Sequence, residues 1–284
     1  MRLIGFVVDS VRQIGVVDND LVTSLGTTAD FYRDPDAALA APAGSVYQLG
    51  SLTQVPFVPE TSRIFCVGIN YASHAEEAEK GGIARPKFPM IFGRWEQSLV
   101  VDGAPVPVPP NEDGLDWEVE LAVVIKDSVW NVTADDATMH VLGYTAFNDL
   151  SARRKQMETA QFTLGKNADR SGPIGPVLVT ADAIADPGNL QVTTRINGEV
   201  MQDSNTKYLI HTVPQLIAYI TDTVTLLPGD VIATGTPSGV GAALTPPRFL
   251  GPGDVAEVSI EHIGTLTTPI VARADLATPE ETSL

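Results

Sequence analysis

Glu118 and Glu120 stand two residues apart in Asp116-Trp117-Glu118-Val119-Glu120-Leu121-Ala122-Val123-Val124-Ile125, at the head of a strongly apolar run. If that run is a strand, side chains at i and i+2 share one face. Two isolated carboxylates aimed into a core would each cost several kcal/mol, by the usual order of desolvation penalties, so a positive charge belongs between them. A hard divalent cation is the economical choice. Asp149 follows a second apolar run, Gly143-Tyr144-Thr145-Ala146-Phe147, and offers a third oxygen ligand. Three carboxylates with coordination positions left open suit Mg²⁺ or Mn²⁺. Spacing alone also fits a plainer arrangement, in which the glutamates line a wet strand face and Asp149 caps the next helix.

His74 and Glu77 lie at i and i+3 in a segment of helical character, so they share a face there. A carboxylate beside an imidazole orients the ring and raises its basicity, which makes a general base for activating water. The polar neighbours Glu76, Glu79 and Lys80 fit a solvated helix face equally well. Lys166, after Gly165, could offset three clustered carboxylates and stabilise a developing enolate, or simply sit at the surface. The turn Thr234-Gly235-Thr236-Pro237-Ser238-Gly239 presents hydroxyls and backbone N–H groups suited to a carboxylate, and it lacks the lysine and spacing of a phosphate-binding P-loop.

These residues need elements to hold them. Strands are expected at residues 64–67, Val119–Ile125, 142–148, 177–180, Gln191–Ile196, 231–234 and Val255–Ile260, separated by Gly, Pro and Asp turns. Helices are expected at Ala72–Lys80, 151–160 and Val213–Thr221, the last capped by Thr212. A repeating βαβ pattern is missing, so the class is α+β and mostly β. Two short apolar runs, 3–8 and 13–17, suggest a small N-terminal accessory domain over residues 1–58, with Pro56-Phe57-Val58-Pro59 as the linker into a main body of 59–284.

The 284 residues carry 18 Lys+Arg against 35 Asp+Glu, a net charge of −17, which repels phosphate backbones and anionic lipid. Nucleic acid and membrane are therefore not expected as partners. Cys66, the single cysteine, is flanked by Ile64, Phe65 and Val67 and reads as a small core residue. The apolar N-terminus is short and shows no cleavage-site pattern, and no run approaches membrane-spanning length, so a cytoplasmic location is expected.

Taken in order, the motifs resemble the fumarylacetoacetate hydrolase family over roughly residues 62 to 270. The resemblance rests on Cys66-Val67-Gly68-Ile69-Asn70-Tyr71 with His74, Asp116-Trp117-Glu118-Val119-Glu120-Leu121, Asn148-Asp149-Leu150-Ser151-Ala152-Arg153, Gly165-Lys166, Pro173-Ile174-Gly175-Pro176, Asn197-Gly198-Glu199 with Gln202, and Pro228-Gly229-Asp230 leading into Thr234-Gly235-Thr236-Pro237-Ser238-Gly239. It implies the family's mixed β-sandwich roll, a homodimer, and one divalent cation per chain. Within it, Glu118, Glu120 and Asp149 look like metal ligands. His74 and Glu77 look like the catalytic pair, with Lys166 in the pocket. Arg153, Gln156, Thr236 and Gly235 fall where the family meets the oxo-acid end of a small-molecule substrate.

The activity so implied is hydrolysis of a C–C bond in an acylpyruvate-like 1,3-diketo acid. Oxaloacetate decarboxylation, and isomerisation or hydration of a 2-oxo-alkenoate, are the alternatives that draw on the same enolate chemistry. A non-catalytic, metal-dependent oxo-acid binder is the alternative from another class, and it would not need the His74–Glu77 pair. Arg94 stands where the family often has lysine, Arg154-Lys155 where an acidic residue is common, and no aromatic residue follows Lys166 by two positions. These departures, with the loops at 81–88 and 242–249, leave the substrate's distal half unspecified.

Overall fold

A computed structural model describes residues 1–40, 44–80, 82 and 84–276. The chain opens with Arg2–Val8 (β1), Val11–Asp18 (β2) and Leu21–Thr27 (β3), two short helices, Thr28–Arg33 (α1) and Pro35–Ala40 (α2), and the strands Val46–Gln48 (β4) and Thr53–Val55 (β5). Arg63–Gly68 (β6), Ala72–Lys80 (α3), Met90–Trp95 (β7), Leu99–Val100 (β8), Val106–Val108 (β9), Val119–Ile125 (β10) and Val141–Asn148 (β11) follow. The helices Arg153–Met157 (α4) and Thr163–Lys166 (α5) lead to Gly172–Thr180 (β12), Gln191–Ile196 (β13) and Glu199–Asn205 (β14). Val213–Thr221 (α6), Val231–Ala233 (β15), Val255–Ile260 (β16) and Gly264–Ala272 (β17) complete it.

Two sheets result. The larger runs β4-β3-β2-β1-β12-β11-β10-β15-β6-β7, with β5 on β1 and β8 on β12, and the smaller runs β14-β13-β16-β17-β9. The centre of the larger sheet is the antiparallel pair β10–β11, in which Val119 faces Asn148 and Glu120 faces Phe147. Val119, Leu121, Val123 and Ile125 pack against Val192, Val258, Ile260 and Leu266 of the smaller sheet. The alternate residues Ala122 and Val124 point the other way, to Leu3, Ile14, Phe31 and Cys66. The pleat therefore puts Glu118 and Glu120 on this second face, beyond its apolar part.

Several elements differ from the sequence reading. The helix expected over 151–160 shrinks to α4, because Ser151 is held extended by a bridge to Asp116 and Thr159 closes a turn by accepting from the Gln161 N–H. Strand β12 begins at Gly172, well before 177, since β8 and β11 pair with its proline-containing start. Phe57 and Val58 are buried in the core, so the 56–59 segment is packed and not an open linker. Strand β1 pairs with β12, which places residues 1–58 and the main body in one sheet. Helix α6 has its expected start, with the Gln215 side chain accepting from the Thr212 N–H at 2.9 Å. Cys66 is fully buried, as a core residue should be. Among the described residues, no helix is long and apolar enough to cross a membrane.

Candidate metal centre and its neighbours

The pairing of β10 with β11 builds the site. Asp149 directly follows β11, and its N–H donates to the Glu118 carbonyl at 3.0 Å. Carboxylate oxygens of Glu118, Glu120 and Asp149 lie within 4.8 Å of one another, all three side chains buried. The wet-strand arrangement is thereby excluded. Lys166 ends helix α5 and is 2% exposed, not a surface lysine. Its Nζ donates to Glu118 Oε2 at 2.7 Å and to Asp149 Oδ2 at 2.6 Å.

Two arginines complete the shell. Arg94 Nε donates to Asp149 Oδ1, its Nη2 to the Leu150 carbonyl at 2.6 Å and its Nη1 to Ser171 Oγ at 2.9 Å. Arg153, on α4, donates to Glu118 Oε1 at 2.5 Å, to Asp116 Oδ2 at 2.7 Å and to Gln156 Oε1 at 2.9 Å. Burial pushes the Glu118 carboxyl up, but Lys166 and Arg153 outweigh it and hold the group at about 2. Burial lowers the Lys166 ammonium, and attraction by Asp149 and Glu118 reverses that and raises it. Lys166 therefore stays charged.

Glu120 is the exception. Gly235 donates its N–H to Oε2 at 2.8 Å, and among the described residues no side-chain cation forms a hydrogen bond or ion pair with it. Burial, then the Asp149 and Glu118 charges, push its carboxyl well above the usual range. A buried carboxylate with this deficit and two oxygen-donor neighbours fits a hard divalent cation, which supplies the missing positive charge.

Helix α3 brings the dyad to the same end of the sheet. His74 Nδ1 lies 3.1 Å from Glu77 Oε2, and Glu77 Oε1 accepts from the Gly239 N–H at 2.9 Å. Their side chains are only 15% and 21% exposed, which rules out a solvated helix face. Glu77 and Glu120 accept from N–H groups of one turn, at Gly239 and Gly235, so the dyad and the cluster are held by the same 234–239 segment. Gly235 has φ +100°, and a Cβ there would meet Asn70 Cβ at 2.7 Å and the Val67 carbonyl at 2.9 Å, so the close approach of this turn requires glycine. Thr236 Oγ1 accepts from Gln202 Nε2 at 2.9 Å.

All ten residues singled out in the sequence thus gather around one end of β10. Four supporting residues had no assigned role there. Asp116 is fully buried and accepts from Arg153 and from the backbone N–H groups of Trp117, Gly241 and Ala242. Gln202 Oε1 accepts from the Val119 N–H while its amide donates to Thr236 and Pro237, tying the glutamate strand to the 234–239 turn. Asn70 bonds to His211 and to the Thr234 carbonyl. Arg94 was noted only as a departure. Each is a polar residue in an apolar setting, but its partner is distant in sequence, so spacing gave no signal. The loop at 81–88 includes residues 81 and 83, which lie outside the described residues.

A buried oxygen-donor cluster faced by a lysine and an imidazole–carboxylate dyad belongs to an enzyme that handles a small anionic molecule. The family model described as fumarylacetoacetate (FAA) hydrolase C-terminal matches residues 63–271, and the chain belongs to the fumarylacetoacetate hydrolase family. It is 40% identical to a mitochondrial oxaloacetate tautomerase of Bos taurus over 258 residues, covering 86% of this chain and 80% of that one. It is 42% identical to the oxaloacetate tautomerase YisK of Bacillus subtilis over 247 residues, 85% of this chain and 80% of that one. Among solved structures it is similar to a putative HpcE protein of Mycobacterium smegmatis, with a TM-score of 0.83, 37% identity, and 96% and 100% of the two chains covered. A 2-hydroxyhepta-2,4-diene-1,7-dioate isomerase of Mycobacterium marinum gives a TM-score of 0.80 at 30% identity, covering 97% and 100%. The mostly β fold with two sheets is the family's own.

Proposed function

We propose that this protein is a divalent-metal-dependent enzyme acting on oxaloacetate or a closely similar 2-oxo dicarboxylic acid, interconverting its keto and enol forms. The observation that carries this reading is the His74–Glu77 dyad joined through the 235–239 turn to a buried three-carboxylate cluster. The names of the relatives support oxaloacetate over the acylpyruvate expected from the sequence. Decarboxylation of oxaloacetate, which breaks the C3–C4 bond, releases CO2 and leaves the enolate of pyruvate on the same 2-oxo carboxylate end, is part of the proposal.

Glu118, Glu120 and Asp149 would hold a divalent cation, Mg²⁺ or Mn²⁺, which would supply Lewis acidity toward the 2-oxo carboxylate. The hydrogen bond from Nδ1 to Glu77 leaves the Nε2 lone pair of His74 free as a base. His74 takes a proton from C3 of the keto form and returns one to the C2 oxygen, so the enol has the same composition as the ketone. The charged Lys166 stabilises negative charge developing on that oxygen. Arg153, Gln156, Gly235 and Thr236 receive the oxo-acid end. A homodimer, checked by sedimentation equilibrium, and a cytoplasmic location, checked by cell fractionation, complete the proposal, with residues 1–58 as an accessory part whose strands join the main body's sheet.

The test follows enol absorbance and pyruvate release from oxaloacetate with Mg²⁺, Mn²⁺ and EDTA, beside a panel of acylpyruvates. Metal-dependent acceleration of enol–keto exchange supports the reading. Rapid acylpyruvate hydrolysis with oxaloacetate left at its uncatalysed rate restores the hydrolase instead.

A further inference from the structure

Asp149 is held at both of its carboxylate oxygens. Arg94 Nε donates to Oδ1 and Lys166 Nζ donates to Oδ2 at 2.6 Å, and the two cations come from different elements, β7 and α5. Strand β7 ends the larger sheet, with β6 on one side of it, and α5 spans only Thr163–Lys166. A single helical turn is not stable by itself, and an edge strand is bonded along one side, so their spacing depends on what joins them.

Asn167 joins them. It directly follows Lys166, and its side-chain amide accepts from the Trp95 N–H at 2.7 Å and donates to the Gly93 carbonyl at 3.2 Å. Those two groups flank Arg94 on the outer edge of β7, where a further strand would otherwise bond. The same amide donates to the Thr163 carbonyl at 2.7 Å, which fixes its rotamer against the start of α5. Both amide hydrogens and the amide oxygen are thereby engaged. The chain then turns, the Ser171 N–H donating to the Ala168 carbonyl at 3.0 Å, and Ser171 Oγ accepts from Arg94 Nη1 at 2.9 Å. Residues 166–171 therefore grip Arg94 by the backbone on either side of it and by its guanidinium. Lys166, in the same segment, reaches the carboxylate that Arg94 also holds.

We propose that Asn167 is a positioning residue, which sets the spacing of Arg94 and Lys166 and so fixes the orientation of the Asp149 carboxylate toward a divalent cation. This rests on the proposed function above and deepens it, by naming a residue that orders the site without touching metal or substrate. Groups that orient a metal ligand are worth about 10- to 100-fold in metal affinity or activity. Asn167 acts one step further out, through two cations, so the lower end of that range applies. The plain alternative is an amide that only covers an exposed strand edge, and its loss would then cost stability alone.

Asn167→Ala tests the proposal, with Thr159→Ala as the control. Thr159 also closes a turn between α4 and α5, its hydroxyl accepting from the Gln161 N–H at 3.2 Å and donating to the Gln161 carbonyl at 2.9 Å. Both variants should melt a few degrees below the parent. Asn167→Ala should also bind Mn²⁺ about 10-fold more weakly by calorimetry and change the electron paramagnetic resonance spectrum of the bound ion. Its kcat for oxaloacetate should fall about 10-fold with KM within about threefold, because Lys166 acts on charge that develops in the transition state. Thr159→Ala should keep the parent's Mn²⁺ affinity, spectrum and kcat. An Asn167→Ala protein that melts lower but stays within about threefold of the parent in Mn²⁺ affinity and kcat overturns the proposal and leaves a strand-edge clamp. Equal losses of affinity in the two variants overturn it as well, since general loosening between α4 and α5 would then be the cause. A parent that binds Mn²⁺ without acting on oxaloacetate overturns the proposed function, while affinity and spectrum still decide the role of Asn167. A parent that binds no Mn²⁺ overturns both.

Discussion

Replacing Lys166 by methionine removes the internal counter-ion of the carboxylate cluster while keeping an unbranched apolar stem. The ammonium donates to Glu118 at 2.7 Å and to Asp149 at 2.6 Å, and the residue is 2% exposed. Deleting one partner of a buried ion pair costs about 3–5 kcal/mol. Burial lowers the Lys166 ammonium but attraction by Asp149 and Glu118 raises it above its ordinary 10.5. A cation with a raised folded value contributes fully below its unfolded value and loses that contribution only as pH rises through the folded one. The whole penalty is therefore expected at neutral pH. At about 2–4 °C per kcal/mol for a chain of this size, the metal-free variant should melt about 6–20 °C below the parent. Mn²⁺ should restore more stability to the variant than to the parent and bind it more tightly, because a divalent charge replaces the one removed. Thermal melts in EDTA and with Mn²⁺ measure both. A metal-free variant melting within about 2 °C of the parent would refute the counter-ion argument.

Glu120→Gln should act in the opposite sense. A carboxyl raised by burial and by Asp149 and Glu118 gives stability that is complete below its ordinary 4.5 and declines as pH rises through the folded value. The metal-free variant should thus melt higher than the parent at neutral pH, while its Mn²⁺ affinity, by calorimetry, drops about 100-fold or more. Glu118 has the reverse sign: burial raises it but Lys166 and Arg153 hold it at about 2, so its stability is present above 4.5 and lost as pH falls toward 2. Arg153→Met should flatten that acid limb in melts recorded across this window. His74→Ala should lower oxaloacetate turnover about 10²- to 10⁴-fold in steady-state assays with Mn²⁺ binding retained. Gly239→Ala places a Cβ 2.2 Å from the Met201 carbonyl at φ +98° and disturbs the N–H that holds Glu77. A loss of about 1–3 kcal/mol and a lower kcat, seen by chemical denaturation and kinetics, are expected.

The glutamate pair was legible because it combines two local rules, strand alternation and the cost of burying charge. Asp149 was legible as a carboxylate at the end of an apolar run, but only the pairing of Val119 with Asn148 puts it beside Glu118. Lys166 and His74 each had a plain surface reading that local sequence could not dismiss. Their burial depends on partners far along the chain: Lys166 meets Glu118 and Asp149, and Glu77 beside His74 meets Gly239. The same holds for the failed expectations. Residues 151–160 have helical composition, yet the Asp116–Ser151 bridge claims the start of that segment. The substrate class was the least legible of all. Acylpyruvate and oxaloacetate share the enolate end that the motifs describe, and they differ at the distal end.

By itself, the sequence determined the donor types, their strand and helix positions, the mostly β class, and an acidic surface unsuited to nucleic acid. Those are properties of composition and short-range periodicity. Tertiary structure alone decided which charges meet. It gave Lys166 and Arg94 to Asp149 and Arg153 to Glu118 and, among the described residues, left Glu120 without a cationic hydrogen-bond partner and the Tyr71 hydroxyl without any. Electrostatic energy depends on distance and burial, and both are fixed only when β10, β11, α3, α4 and α5 converge on one end of the sheet.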